Sequence, residues 1–240
     1  MPGLFDAIEI RGLRLKNRLV MAPMATNMAT EEGEVTERHL KHYTTRARGG
    51  VGLIILEHTY VSRDGRLSSS QMGLYHDKLI PGLSQLVKAI HSEGAKVVIQ
   101  ITHGGAKTSS NITGKQPFGP SNIIPPRSKE IPKEMTLPEI KTVVTAFGEA
   151  ARRAIDAGCD AVELHGAHGF LLCQFLSPYT NQRNDKYGGD MIGRLRFPLE
   201  VIKEVKSKLE KRAPLFYRFG ADDMIEGGLS RQEARLAAQS

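Results

Sequence analysis

Three side chains within six residues could do chemistry: Glu163, His165 and His168, in the stretch AVELHGAHGF over residues 161–170. Two imidazoles three positions apart can donate paired hydrogen bonds to an oxygen on which negative charge builds. With Glu163 they also read as a two-histidine, one-carboxylate metal set. Strand alternation puts Glu163 and His165 on one face, so spacing leaves both readings open. A second candidate is Gln100, the lone amide in the apolar run KVVIQI. It is either a satisfied core glutamine or a donor and acceptor for a flat heteroaromatic ring with imide edges. A third is Arg218, near the end of the run LFYRF.

These residues sit at the ends of apolar runs, and the runs define the elements that must position them. Residues 18–24 (RLVMAPM), 51–56 (VGLIIL), 96–101, the run from 160 or 161, and 215–219 read as strands. The run 51–56 has no polar alternation, which predicts burial on both faces, as in a parallel sheet. Between them lie helical stretches over about 36–48, 80–93, 136 onward and 193–209, and another helix starts near Ser230. Thr136-Leu137-Pro138-Glu139 is a capping box with proline in the first turn. The alternation of residues 8–15 around Arg11-Gly12 predicts a β-hairpin, within residues 5–16, that could plug the bottom of a barrel. The stretch 103–135 predicts a long functional loop, and a polar loop is expected after the histidines, ending at Gly188-Gly189.

Strand and helix alternate five times, which argues an α/β fold with right-handed crossovers. An open doubly wound sheet and a barrel both satisfy that order. No GxGxxG follows the first strand, which weakens the dinucleotide-binding open sheet. Polar residues at several strand ends favour the (β/α)8 TIM barrel, whose chemistry sits at the C-terminal strand ends. A complete barrel has eight strands, so the expectation is a single domain over 1–240, truncated after about five βα units, or a sheet that a partner chain closes.

Composition narrows the function class. The net charge of +7 comes from scattered Lys and Arg, which supports nucleic-acid binding weakly and an anionic cofactor or substrate equally well. No run is long enough to span a bilayer and no signal segment is visible, so a cytoplasmic protein is expected. Cys159 and Cys173 form no CxxC pair and read as buried free thiols.

The stretch HGAHGFLLCQFLSPYTNQRNDKYGG, followed by RLRFPLEVI, resembles the hallmark segment of the old yellow enzyme family. LKNRLVMAPM (15–24), RARGGVGLIILE (46–57) and IQITHGG (99–105) follow in the family's order, so the resemblance covers essentially the whole chain. Its 2-enoate reductase and bile-acid dehydrogenating branch is also similar, although nothing here resembles that branch's iron–sulfur cysteines. The resemblance implies a barrel that binds FMN and uses NADH or NADPH to reduce an activated C=C bond of an α,β-unsaturated carbonyl compound. It implies that Pro23, Met24 and Ala25 contact the flavin edge, that Gln100 bonds its pyrimidine, and that Arg218 sits near N1 and O2. His165 and His168 would bind the substrate oxygen, worth ~3 kcal/mol per donor. The expected partner is a small unsaturated substrate, without nucleic acid or membrane, and a homo-oligomer is compatible.

Three positions depart from the family's pattern. Phe170 stands where the family usually carries a proton-donating tyrosine, so the proton must come from elsewhere. Ala25 stands where threonine or cysteine often tunes the flavin. His58 stands where small residues are common near the ring, and is a further contact candidate. Two alternatives accompany this reading: an inactive fragment of the family, and a metal-dependent barrel hydrolase using Glu163, His165 and His168.

Overall fold

A computed structural model describes residues 2–210 and 212–240. The alternating residues near the N-terminus form β1 (Ile8–Ile10) and β2 (Leu13–Leu15), paired antiparallel with Ile8 opposite Leu15. Arg11 and Gly12 between them both have positive φ, 47° and 85°. Two left-handed residues are what a type I′ hairpin turn demands.

The remaining elements follow as β3 (Val20–Met21), α1 (Glu37–Arg48), β4 (Leu53–Tyr60), α2 (Ile80–Ser92), β5 (Lys96–Thr102), α3 (Ser110–Thr113), β6 (Phe118–Gly119) and β7 (Lys133–Glu134). Then come α4 (Leu137–Asp156), β8 (Ala161–Gly166), α5 (Leu171–Leu176), α6 (Met191–Leu209), β9 (Leu215–Phe219) and α7 (Arg231–Gln239). The expected caps are present. Glu139 Oε2 accepts from Thr136 N–H at 2.7 Å, and the Thr136 hydroxyl accepts from Glu139 N–H at 3.4 Å. Ser230 and Glu233 form the same box at the start of α7.

The main sheet has the order β3-β4-β5-β8-β9, and every pair is parallel. Spatial order equals chain order. A doubly wound sheet reverses direction at a switch point, and this one never does. The two faces of the sheet differ as a barrel wall requires. Ile54, Leu56, Val97, Ile99, Ile101, Val162 and Leu164 join the large core, with Tyr43 of α1, Leu83 of α2, Phe147 of α4 and Phe197 of α6. Leu53, Val98 and Ala161, from the other face, cluster with Leu13 and Leu15 of the hairpin. Helices therefore cover one side only, and the hairpin closes the other side at the N-terminal strand ends. This is a curved wall of an α/β barrel with its bottom plugged.

Some expectations need correction. The run 18–24 does not form a long buried strand: only Val20–Met21 pairs, and Val20 is 48 % exposed. Among the described residues β3 has β4 as its one strand neighbour. β9 is also at an edge, and its five residues are half-buried where those of β8 are buried throughout. The stretch 103–135 is not structureless, because α3 and the short β6–β7 pair lie within it. The loop after the histidines contains α5, all six residues of which are buried. Its sequence LLCQFL is uniformly apolar but for Gln174, so it carries no amphipathic period to betray it.

Candidate active site

The inner face of the wall changes chemistry as it climbs toward the C-terminal strand ends. At the bottom Val98 stands beside Ala161. Two residues higher Gln100 stands beside Glu163, and the Gln100 Nε2 donates to Glu163 Oε1 at 2.7 Å. Two higher again His165 stands beside Arg218. The pleat points alternate residues the same way, so an apolar floor, an amide–carboxylate layer and an imidazole–guanidinium layer follow from three parallel strands in register. Burial raises the Glu163 pKa, against the Gln100 hydrogen bond and the Arg218 charge.

His165 is 2 % exposed. Its Nδ1 accepts from the Ala167 N–H at 3.4 Å, which assigns the ring proton to Nε2. Burial, with the nearby His168, His58, Arg218 and Lys107, pushes its pKa down to about 2. A cation here would be desolvated among like charges, so the ring stays neutral and acts as a donor through Nε2. His168 is exposed and held in the left-handed region, φ 58°, with Gly169 after it at 69°. Two such residues make the tight turn that brings the second imidazole back over the first. The ring centroids are 5.0 Å apart at 79°. Arg218 Nη2 lies 3.5 Å from His168 Nε2, and Lys107 Nζ donates to the His168 carbonyl at 2.7 Å. Burial lowers the His168 pKa, and Arg218 and Lys107 lower it further. A guanidinium only donates, so His168 Nε2 accepts and Nδ1 carries the proton. The two rings thus offer one N–H each.

His58 belongs to the same cluster, 6.3 Å from the His165 ring and 5.6 Å from Phe170. Gln71 Nε2 lies 2.7 Å from its Nδ1 and 2.9 Å from its carbonyl. Burial lowers the His58 pKa. Phe170 packs edge-on against His165, centroids 4.7 Å apart at 89°, as an apolar wall without a proton to give.

Pro23, Met24 and Ala25 lie on the segment leaving β3. Met24 is 65 % exposed. The segment is tied down one residue later. Thr26 N–H donates to Glu57 Oε2 at 2.9 Å and its hydroxyl donates to Glu57 Oε1 at 2.5 Å. Glu57 is buried on β4, with His39 Nε2 at 3.2 Å and the Tyr43 hydroxyl at 3.4 Å. Burial would raise its pKa, but the His39 and Thr26 hydrogen bonds prevail and lower it. Sequence reasoning missed Glu57, Thr26, His39 and Tyr43, and also Lys107. A lone carboxylate closing the apolar run VGLIILE was the available signal for Glu57.

The metal alternative does not assemble. Among the described residues no three of His, Cys, Asp and Glu stand close enough to hold one ion. Glu163 is bonded to Gln100 one layer below, and His168 Nε2 faces a guanidinium, which repels a metal cation. Cys159 and Cys173 are buried free thiols, and burial pushes Cys173 up to about 12. Among the described residues no helix is long and apolar enough to cross a membrane.

Known proteins share this chain's sequence pattern and fold. The chain is 45% identical over 240 residues to an NADH oxidase of Thermoanaerobacter brockii, covering 99% of this chain and 37% of that protein. It is 43% identical over 224 residues to an NADPH dehydrogenase of Clostridium acetobutylicum, covering 93% of this chain and 66% of that one. The chain therefore spans between about a third and two thirds of the curated relatives it matches. Among solved structures, a 2-naphthoyl-CoA reductase complex superposes with TM-score 0.94 at 32% identity, over 98% of this chain and 38% of that one. The old yellow enzyme homologue from Zymomonas mobilis superposes with TM-score 0.88 at 29% identity, over 99% and 69%. The model of the NADH:flavin oxidoreductase / NADH oxidase family matches residues 3–240. With sequential parallel strands, a plugged floor and a histidine pair at the C-terminal rim, the chain belongs to the NADH:flavin oxidoreductase / NADH oxidase family.

Proposed function

We propose that this chain carries the ring-facing and substrate-oxygen-binding part of an FMN-linked, NAD(P)H-dependent reductase of activated C=C bonds. The observation that carries this reading is the pair of neutral imidazoles at the strand ends, 5.0 Å apart, each left with one N–H to give.

The residues present suit a flavin ring. Gln100 Oε1 has no hydrogen-bond partner among the described residues, while its Nε2 is held by Glu163. Arg218 meets no carboxylate within 4 Å among them, and its one hydrogen bond, to His168, is long. A pyrimidine edge offers a donor for the amide oxygen and acceptors for the guanidinium. Pro23, Met24 and Ala25 would supply backbone groups at the ring edge, held by the Thr26–Glu57 anchor. The chemistry such a group supplies when bound is hydride transfer, from NADH or NADPH and on to an electron-poor carbon.

His165 Nε2 and His168 Nδ1 would hold the carbonyl oxygen of the substrate and stabilise the charge that builds on it. Both rings remain neutral near pH 7, so they bind the oxyanion without surrendering a proton to it. Phe170 excludes water beside His165 and donates nothing, so the α-carbon takes its proton from solvent or from a group outside this cluster. One observation favours a second reading, in which the chain keeps these residues without holding flavin: Met24 and Ala25 meet solvent.

A visible absorption spectrum after FMN is added and the excess removed separates the two. A retained flavin band, bleached by NADH or NADPH and reoxidised by an enone, is expected. His165→Ala should then cut enone reoxidation by at least 10²-fold while the band persists, the scale of losing one oxyanion donor. A colourless protein rules out the catalytic reading for this chain. Retained flavin with undiminished enone turnover in His165→Ala removes the role given to the pair.

A further inference from the structure

A cavity of about 590 Å³ opens beside His168, past the C-terminal ends of β8 and β9. Three cations line it, Lys107, Arg127 and Arg218. Among the described residues none of the three has a carboxylate within 4 Å. The acids on the same wall are already committed. Asp222 accepts from Met224 N–H at 2.8 Å and pairs with Arg231 at 3.1 Å. Asp223 Oδ2 accepts from Leu229 N–H at 2.7 Å, and its Oδ1 lies 3.7 Å from Cys173 Sγ. Asp223 is thus the one carboxylate of the wall without a cation within 4 Å among the described residues, against three such cations, and the cavity carries an excess of positive charge.

The placement of Arg127 is costly. Ser128 N–H donates to Pro125 O at 3.0 Å, closing a turn over Pro125-Pro126-Arg127-Ser128. Arg127 has φ 69° in its third position. A type II turn with proline second wants glycine or asparagine there, because a Cβ is strained. Retaining arginine at that point keeps a cation at the cavity at the expense of the backbone. Lys107 spends one N–H on the His168 carbonyl and has two more to give. Burial, together with Arg127, lowers the Lys107 pKa, a pressure that a bound anion would relieve.

We propose that this cavity binds an anionic group of the substrate, a carboxylate or a phosphate, remote from the reacting double bond. The inference rests on the reading of His165 and His168 as the oxygen-binding pair, because the cavity shares His168 with them. The ketone end would sit on the two imidazoles while the anion meets Arg127 and Lys107.

The test compares 4-phenylbut-3-en-2-one with its para-carboxy derivative, using the whole chain. Binding is measured by calorimetry and by saturation-transfer NMR, neither of which needs turnover. The carboxylated ketone should bind about tenfold tighter, the worth of one charged hydrogen bond. Arg127→Gly, which the turn geometry favours, should remove most of that advantage and leave the neutral ketone unchanged. Lys107→Gln, which keeps a donor for the His168 carbonyl, should also shrink the ratio of the two affinities, and that ratio is the readout whatever happens to the neutral ketone's own affinity. Inorganic phosphate that competes with the carboxylated ketone alone brings phosphates into the site, and its failure to compete assigns the site to carboxylates. Equal binding of the two ketones, or an advantage that survives both substitutions, overturns the inference. If His165→Ala weakens neither ketone while the carboxylate advantage persists, the oxygen-binding pair falls and the anion site stands. If neither ketone binds, both fall.

Discussion

The depressed pKa of His165 makes a prediction about acid stability that needs no cofactor. In the unfolded chain this imidazole has its ordinary pKa near 6.5, and burial in the folded chain pushes it down to about 2. Between those values the unfolded state binds a proton that the folded state refuses, so stability falls as pH falls below 6.5. Full linkage is about 1.4 kcal/mol per pH unit. Integrating from pH 6.5 to 4.5 gives a loss of about 2 kcal/mol from this one group. The perturbation is His165→Gln, which keeps a donor and removes the titration. The assay is urea unfolding of both proteins at pH 6.5 and at pH 4.5. His58 and His168 are also held low, but their contributions are common to both proteins and cancel in the double difference. The wild type should lose about 2 kcal/mol more than the variant over that interval. Equal losses would mean that His165 accepts a proton in the folded state. That result would refute the neutral, buried donor on which the oxygen-binding role depends.

Two further outcomes follow from the anchoring contacts. Glu57→Gln leaves the Tyr43 and Thr26 groups facing an amide instead of a carboxylate and should cost about 1–3 kcal/mol; the amides of Met24 to Thr26 should exchange with deuterium at least tenfold faster, while those of β8 keep their protection. Thr136→Ala removes the hydroxyl that caps α4 and should cost about 1 kcal/mol in denaturant unfolding, with little effect on the histidine cluster.

Much of the fold was legible because it is written locally. The runs at 96–101 and 215–219 became β5 and β9, and Thr136 with Glu139 started α4 where the capping pattern put it. Arg11-Gly12 made its hairpin because left-handed turn chemistry is carried by adjacent residues. The candidate site was legible as residue types. His165, Arg218, Gln100 and His58 do meet on one inner face, while Pro23, Met24 and Ala25 lie on the segment that Thr26 ties to Glu57. The short helix α5 was not legible, since a six-residue run buried on every side has no period to read.

By itself, then, the sequence determined which segments are strands and helices, where several helices begin, and which polar side chains interrupt the buried runs. Those features depend on neighbours two to four positions away, and burial of an apolar face enforces them. Tertiary structure decided what the polar residues do. Gln100 donates to Glu163 across 63 positions, Thr26 hangs from Glu57 across 31, and Lys107 props the His168 carbonyl across 61. The ring tautomers, the neutrality of His165 and the excess of positive charge beside Arg127 arise from such pairings. They are set by strand register and by low-dielectric packing, quantities that exist only once distant segments have come together.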